Sequence, residues 1–140
     1  MPSPRYWREI PARYRLEAVR CRGCGRTAYP PRACCLACRG VDLERTTLSR
    51  RGTVVTATVV RVAPDDLAME APYALALVET PERARLMLQV VDCDPETVRP
   101  GMMVALEFRR IRREGREGIL CYGYKAVPLE AAGAVTPGGA

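Results

Sequence analysis

Two pairs of cysteines near the start of the chain have the spacing of a metal site. Cys21 and Cys24 form the first pair, and Cys35 and Cys38 form the second after ten intervening residues. Two residues separate the members of each pair, so a tight turn can present both thiolates to one ion at about 2.3 Å. Four protein ligands leave no position for water. The pattern therefore predicts one structural zinc per chain rather than a catalytic one.

Two alternatives stay open at this site. Iron in a rubredoxin-like centre uses the same geometry, and we favour zinc because nothing else in the sequence indicates electron transfer. A Cys34/Cys38 pair is the other alternative, but Cys35 and Cys38 have the standard spacing, so we expect Cys34 to be a spare thiol buried against the ribbon. Cys93 and Cys121 fall in predicted strands, where we expect them to be small core residues.

The composition narrows the chemistry that the chain can perform. It has no histidine, which excludes a mixed Cys/His zinc site and a histidine general base. The N-terminus lacks the apolar stretch of a secretory signal, so we expect a cytoplasmic protein whose seven cysteines are not a disulfide framework. No apolar run approaches the roughly 20 residues of a membrane span. We find no nucleophile–base pair and no phosphate-cradling glycine loop, and expect a protein that is not an enzyme.

The sequence after the cysteines predicts a mainly β domain. Gly, Pro and polar clusters separate five stretches rich in β-branched or alternating apolar residues, namely 53–62, 73–79, 85–92, 103–112 and 119–127. A helical turn is expected at 94–98, and a hairpin loop at 114–118. This order fits a five-stranded, partly open Greek-key barrel of the OB type. We divide the chain into a helical segment (1–17), a zinc ribbon (18–45), an OB-fold domain (46–128) and a disordered tail (129–140).

The first residues predict a short amphipathic helical segment. Ser3 and Pro4 suit a helix start, and Pro11 predicts two short helical pieces or a kink. An apolar stripe recurs at helical spacing and includes Tyr6, Trp7, Ile10 and Tyr14. Such a stripe exposes more apolar surface than a small ribbon can cover, so we interpret it as a docking surface for a partner protein. The alternative is that it folds back onto the barrel.

The net charge of +6 fits an acidic partner, either nucleic acid, an anionic cofactor or an acidic protein surface. Arginines cluster at 109–113 and 50–51. An OB barrel that binds single strands needs exposed aromatic rings, but aromatic residues make up only 6% of this chain and Phe108 is in phase with core positions. Tyr122 and Tyr124, beside Gly123, make a thin stacking platform. We expect no specific binding of nucleic acid.

Taken in order along the chain, eight motifs resemble a known family. They are YWREIP (6–11), YRLE (14–17), CxxCG (21–25), YPPR (29–32), CxxC (35–38), PYALALVE (72–79), VDCD (91–94) and YGYK (122–125). The chain resembles the acyl-CoA-associated proteins with a rubredoxin-like zinc ribbon and an OB-fold, known as Domain of Unknown Function 35. It departs from them at Cys34, where an aliphatic residue is usual, and at Leu36, where proline is frequent.

The resemblance implies a non-catalytic subunit that binds thiolase-superfamily enzymes. In the archaeal type, which this chain resembles most, the small protein bridges an acetoacetyl-CoA thiolase and a hydroxymethylglutaryl-CoA (HMG-CoA) synthase. There it helps to hold the CoA arm so that the intermediate passes between the two active sites of the mevalonate pathway. We therefore expect an accessory scaffold that shares a contact with CoA bound by its partner. The alternative is a free-standing nucleic-acid-binding zinc ribbon and OB-fold protein.

Overall fold

The computed structural model describes residues 4–113 and 120–129. One helix, α1 (Pro4–Tyr14), precedes eight strands. The first three form a small antiparallel sheet and are β1 (Glu17–Cys21), β2 (Thr27–Ala28) and β3 (Leu43–Thr47). The other five form a closed barrel and are β4 (Arg51–Val60), β5 (Tyr73–Glu79), β6 (Arg85–Val90), β7 (Met103–Arg113) and β8 (Leu120–Pro128).

The N-terminal segment is one continuous helix and not two short helical pieces, while the alternative of a kink at Pro11 stays a prediction. Pro11 lies inside α1. A proline inside a helix has no backbone amide to donate, but its carbonyl can still accept a hydrogen bond. The carbonyl of Pro11 accepts one from the amide of Arg15 at 3.1 Å. An ion pair of 2.7 Å between Glu9 and Arg13 spans the proline on one face of the helix. These contacts carry the helix past Pro11.

The barrel has the strand order β4-β5-β6-β8-β7, closed by pairing of β7 with β4. All neighbours are antiparallel except β6 and β8, which run parallel where Val90 meets Ala126. This connectivity confirms the predicted OB-fold. The barrel closes at the start of β4, where a Cβ on Gly52 would overlap the side chain of Val78. Only glycine allows the strands to approach so closely there.

Two short 3-10 helices lie in the connections between barrel strands. The one at Pro95–Thr97 confirms the predicted helical turn, whereas the one at Asp65–Glu70 was not predicted. Glu70 accepts hydrogen bonds from Gln89 at 2.7 Å and from Lys125 at 3.1 Å. This pairing accounts for the burial of Lys125 in β8.

The small sheet and the barrel share one hydrophobic core. Val54, Val78 and Leu106 fill the barrel interior, and Leu16 and Leu48 extend the same buried cluster into the sheet. The amide of Leu48 donates to the carbonyl of Leu16 at 2.9 Å, which extends the pairing of β1 with β3 by one residue beyond Glu17 and Thr47. Leu16 adopts a left-handed backbone conformation, with φ of 54°, as the chain turns from α1 into β1. Its complete burial offsets that strain.

The end of α1 packs on the last two barrel strands. The ring of Tyr14 meets the ring of Phe108 edge-on, with centroids 4.8 Å apart, and the hydroxyl of Tyr124 donates to the carbonyl of Tyr14 at 2.6 Å. Phe108 continues the inward row of β7, but its side chain is 43% exposed, so its prediction as a core residue is wrong. The reason is that β7 pairs with β4 only through residues 103–105, and beyond them its remaining strand neighbour is β8.

The predicted hairpin loop at 114–118 lies outside the described residues, as does the predicted disordered tail beyond residue 129. Within residues 4–113 and 120–129, no helix is both long and apolar enough to cross a bilayer.

A carboxylate fastens the turn between β5 and β6 to the segment that joins β3 to β4. Glu82 in the turn accepts hydrogen bonds from the backbone amide of Ser49, at 3.1 Å, and from its hydroxyl. Burial raises the pKa of Glu82, but these hydrogen bonds outweigh it and leave the pKa below its ordinary value. The carboxylate therefore contributes stability above the ordinary pKa of glutamate, and the contribution is lost as the pH falls through the lowered pKa.

We predict that Ser49→Ala lowers the free energy of unfolding at neutral pH by about 1.5–3 kcal/mol, because it removes one hydrogen bond to a charged group. Denaturant titration measures the change. In a Glu82→Gln background the same substitution should have a clearly smaller effect, and equal effects in the two backgrounds would contradict the contact.

Candidate metal centre

The four predicted cysteines come from two turns with the same backbone pattern. In the first, the amide of Cys21 donates to the carbonyl of Arg26 at 2.9 Å, and the amide of Gly25 donates back to the carbonyl of Cys21 at 2.8 Å. In the second, the amide of Cys35 donates to the carbonyl of Gly40, and the amide of Arg39 donates to the carbonyl of Cys35, both at 2.9 Å. The two turns therefore present their cysteines in equivalent geometry.

The repeated pattern includes one left-handed residue in each turn. Gly25 has φ of 72°, and Arg39, at the equivalent position, has φ of 59°. The glycine was visible in the sequence, whereas the arginine gave no signal because arginine rarely adopts this conformation. Gly40 follows it, and a Cβ there would approach the sulfur of Cys38 to 3.3 Å. The second turn therefore extends two residues beyond the cysteine pair that the spacing identified.

The sulfurs of the two turns converge on one point. The Sγ atoms of Cys21 and Cys38 are 3.5 Å apart, as are those of Cys24 and Cys35, and all four lie within 4.8 Å of one another. Four thiolates bound tetrahedrally at about 2.3 Å would be about 3.8 Å apart. The donor set and its spacing thus fit a tetrahedral zinc or iron ion.

Backbone amides facing the sulfurs favour thiolates. The amides of Cys38 and Ala37 lower the pKa of Cys35 to about 6, and the amide of Cys24 is the largest cause of a lowered pKa at Cys21. The amide of Gly40 lowers the pKa of Cys38, but hydrogen bonds that the Cys38 thiol donates to the neighbouring sulfurs outweigh it, and with burial they raise that pKa to about 11. Four thiols this close cannot all lose their protons unless a cation compensates the charge.

The remaining cysteines lie outside this cluster. Cys34 is exposed, so the expectation that it is buried against the ribbon is wrong. Its neighbour Cys35 turns inward to the cluster, which leaves the side chain of Cys34 directed to solvent. Cys121 is buried, and Cys93 packs half-buried against the core, where burial raises its pKa. Both positions agree with small core residues rather than nucleophiles.

The predicted docking stripe on α1 is only partly covered. Ile10 and Tyr14 are half-buried, whereas the side chain of Trp7 is 66% exposed. The side chain of Tyr6 lies outside the described part. The sequence pattern did not indicate the exposed contact of Phe108, whose ring stacks on that of Tyr122 with centroids 5.7 Å apart. The length of the last two strands could have indicated it, because long strands extend past the barrel.

Comparison with known proteins covers both halves of the chain. Residues 8–44 match a family model described as the rubredoxin-like zinc ribbon domain of ChsH2, and residues 45–109 match its C-terminal OB-fold domain. A DUF35 domain-containing scaffold protein of Methanocaldococcus jannaschii is 46% identical over 127 residues, which span 90% of each chain. The benzoylsuccinyl-CoA thiolase subunit BbsA of Thauera aromatica is 29% identical over 110 residues, which span 79% of this chain and 74% of BbsA.

A solved structure has the same fold. A chain of the Ltp2-ChsH2(DUF35) aldolase superposes with a TM-score of 0.65 and 28% identity, and the match covers 91% of this chain and 95% of that one.

We predict that the purified protein contains about one zinc per chain, measured by plasma emission spectrometry. Cys21→Ser or Cys35→Ser should lose the metal and unfold the ribbon, because three thiolates hold the ion less well. Cys34→Ser is the matched control and should keep its zinc. Loss of metal from Cys34→Ser, with retention in Cys35→Ser, would show that the ligand assignment is wrong.

Proposed function

Because the chain belongs to the DUF35 family of proteins with a ChsH2-type zinc ribbon and OB-fold, we propose that it is a non-catalytic accessory subunit of a thiolase-superfamily acyl-CoA complex. Its relatives support this, since one is a scaffold protein, one is a thiolase subunit and one is a component of an aldolase. Its role in such a complex would be to hold enzymes together.

The observation that carries the proposal is the uncovered aromatic stripe of α1. Tyr14 anchors the helix on Phe108 and Tyr124, so the helix is held in place. Trp7 lies two turns earlier on the same stripe but is 66% exposed. A tryptophan presented on a fixed helix has little conformational entropy to lose on binding, which is typical of the residues that dominate protein interfaces.

We propose that Cys21, Cys24, Cys35 and Cys38 hold one structural zinc. The ribbon has few buried aliphatic side chains of its own, so a metal would supply the stability that a core supplies elsewhere. The strand β1 joins this centre to α1 through Leu16. The zinc would thereby keep the helix and its docking residues in position.

The inventory of reactive groups supports a non-catalytic role. The chain has no histidine, and its single lysine, Lys125, is buried and paired with Glu70. Of the cysteines outside the cluster, Cys121 is buried and Cys93 is half-buried, and burial disfavours a reactive thiolate.

In its finer form, the proposal is that the protein bridges an acetoacetyl-CoA thiolase and an HMG-CoA synthase, serves the mevalonate pathway and contacts the CoA bound by its partner. A bridge needs two separate surfaces, and the chain offers a second apolar one on the outer face of β5 and β6. Leu75 and Leu77 are half-buried there, and Met87, opposite Leu77, is 74% exposed. The helix α1, by contrast, packs on β1 and β8.

The outer face of β5 and β6 also argues against the alternative of a nucleic-acid-binding protein. OB-folds bind oligonucleotides on the face of their second and third strands, which here are β5 and β6. Aromatic platforms are needed for base stacking, and the exposed side chains of β6 on this face, Arg85 and Met87, are not aromatic.

We predict that Trp7→Ala abolishes co-purification with the thiolase-superfamily enzyme encoded in the same genome, because it removes the exposed anchor of α1. Affinity purification of the tagged full-length protein, with mass-spectrometric identification of the captured enzyme, measures this. The isolated variant should keep its melting temperature and zinc. Tyr14→Ala is the structural counterpart and should lower the melting temperature. Intact complex formation by Trp7→Ala would contradict the docking role.

We also predict that Met87→Glu keeps the thiolase but loses the second enzyme, because a carboxylate would be buried unpaired in an apolar contact. Reconstitution with purified thiolase and HMG-CoA synthase, followed by size-exclusion chromatography, measures both contacts. If wild-type protein binds the thiolase but not the synthase, the bridging role is wrong while the accessory role stands.

A further inference from the structure

A groove rich in arginine runs between the small sheet and the turn that joins β5 to β6. Its main cavity is about 880 Å³ and is lined by Arg26 and Arg32 from the ribbon and by Arg83 from the turn. An adjoining cavity of about 480 Å³ shares Arg83 and adds Arg20. We call the two cavities together, with these four residues, the arginine groove.

The carboxylates near the groove are engaged elsewhere. Glu79 is paired with Arg85 at 2.8 Å, and Glu82 accepts hydrogen bonds from Ser49. As a result, none of the four arginines of the groove has an ion-pair partner among residues 4–113 and 120–129. Glu82 lines the smaller cavity, but its single negative charge leaves the four guanidinium groups in excess, so the groove is electropositive.

Arg83 is held in place by its turn. Its amide donates to the carbonyl of Thr80 at 2.8 Å, and the amide of Thr80 donates to the carbonyl of Ala84 at 2.9 Å. With φ of 61°, Arg83 takes a conformation that glycine or asparagine would adopt more easily. The hydrogen bonds from Ser49 to Glu82 fix the same turn against the segment that joins β3 to β4. The backbone of Arg83 is therefore fixed where the two cavities meet.

The remaining lining favours an extended polypeptide. Val19 and Leu43 contribute apolar surface, and Leu36, 67% exposed, adds to it. The short strand β2 lies at the edge of its sheet, where it pairs only with β1. An extended chain beside β2 would find backbone partners, apolar contacts and guanidinium groups together. Tyr29, the aromatic residue of the lining, is half-buried against the core, which leaves less of its ring available for base stacking.

We propose that the arginine groove binds an extended acidic segment of a partner polypeptide. Carboxylates form bidentate hydrogen bonds with arginine, and four arginines spread over two adjoining cavities match several carboxylates along one strand. A free phosphate or pyrophosphate would use only part of this length. This inference does not depend on the proposed function, since it concerns a different surface from the stripe on α1.

Fluorescence anisotropy of a labelled short peptide of alternating glutamate and valine, added to the full-length zinc-loaded protein, tests the proposal. The double variant Arg32→Glu/Arg83→Glu reverses one charge on each wall and should weaken binding at least about tenfold. Arg51→Glu makes the same kind of change outside the groove and should bind within about twofold of wild type. Melting curves and zinc content establish that each variant is folded.

Four results would overturn the proposal. The first is the lack of detectable binding of the peptide by wild-type protein near physiological salt. The second is equal weakening by Arg51→Glu and by the double variant, because that indicates a general charge effect. The third is tighter binding of an oligothymidylate than of the peptide in the same buffer. The fourth is displacement of the peptide by inorganic pyrophosphate at equal concentration, because that indicates a site for small phosphates.

Discussion

Burial of Leu16 and Leu48 in the barrel core is the contact on which the rest of the structure depends. The ribbon is too short and too poor in aliphatic residues to bury a core of its own, so its sheet is stabilised from two sides. On one side it packs into the barrel through these leucines, and on the other it ends in the four-cysteine cluster. The ribbon and the barrel are therefore one cooperative unit at this contact, although family models divide them.

The packing of Leu16 and Leu48 in the barrel core also determines where the binding surfaces of the molecule lie. Leu16 follows α1 directly, so the position of the helix is set by the way this residue enters the core. The Ser49–Glu82 contact holds the β5–β6 turn beside Leu48 and brings Arg83 towards the ribbon. An aromatic surface and a basic groove thus arise around one small core. Such a division into separate binding surfaces suits a subunit that works through its contacts.

The DUF35 family, to which this chain belongs, includes proteins named as parts of larger assemblies. The relatives include a protein described as a scaffold and a protein described as a thiolase subunit, which have in common an attachment to other proteins. In this chain the residues that could support attachment, such as Trp7 and Met87, are exposed, whereas six of the seven cysteines lie in the four-cysteine cluster or are buried or half-buried elsewhere, and Cys34 is exposed. The exposure of these apolar side chains is consistent with an accessory role.

The sequence alone was sufficient to identify the four-cysteine pattern and the five barrel strands, because both signals are local. The four cysteines are Cys21, Cys24, Cys35 and Cys38. A cysteine pair needs only a tight turn, and a strand needs only alternation along a few residues. The OB connectivity followed because short connections leave few ways to close five strands.

Tertiary structure alone decided what depends on distant neighbours. Phe108 has a core pattern but is partly exposed, because β7 outlasts its pairing with β4. The helix α1 continues through Pro11, since the hydrogen bonds around it survive. The arginine groove was invisible in the sequence, because Arg20, Arg26, Arg32 and Arg83 meet only when the β5–β6 turn is fastened against the ribbon. Whether a charge has a partner is a property of the folded chain, and no local pattern records it.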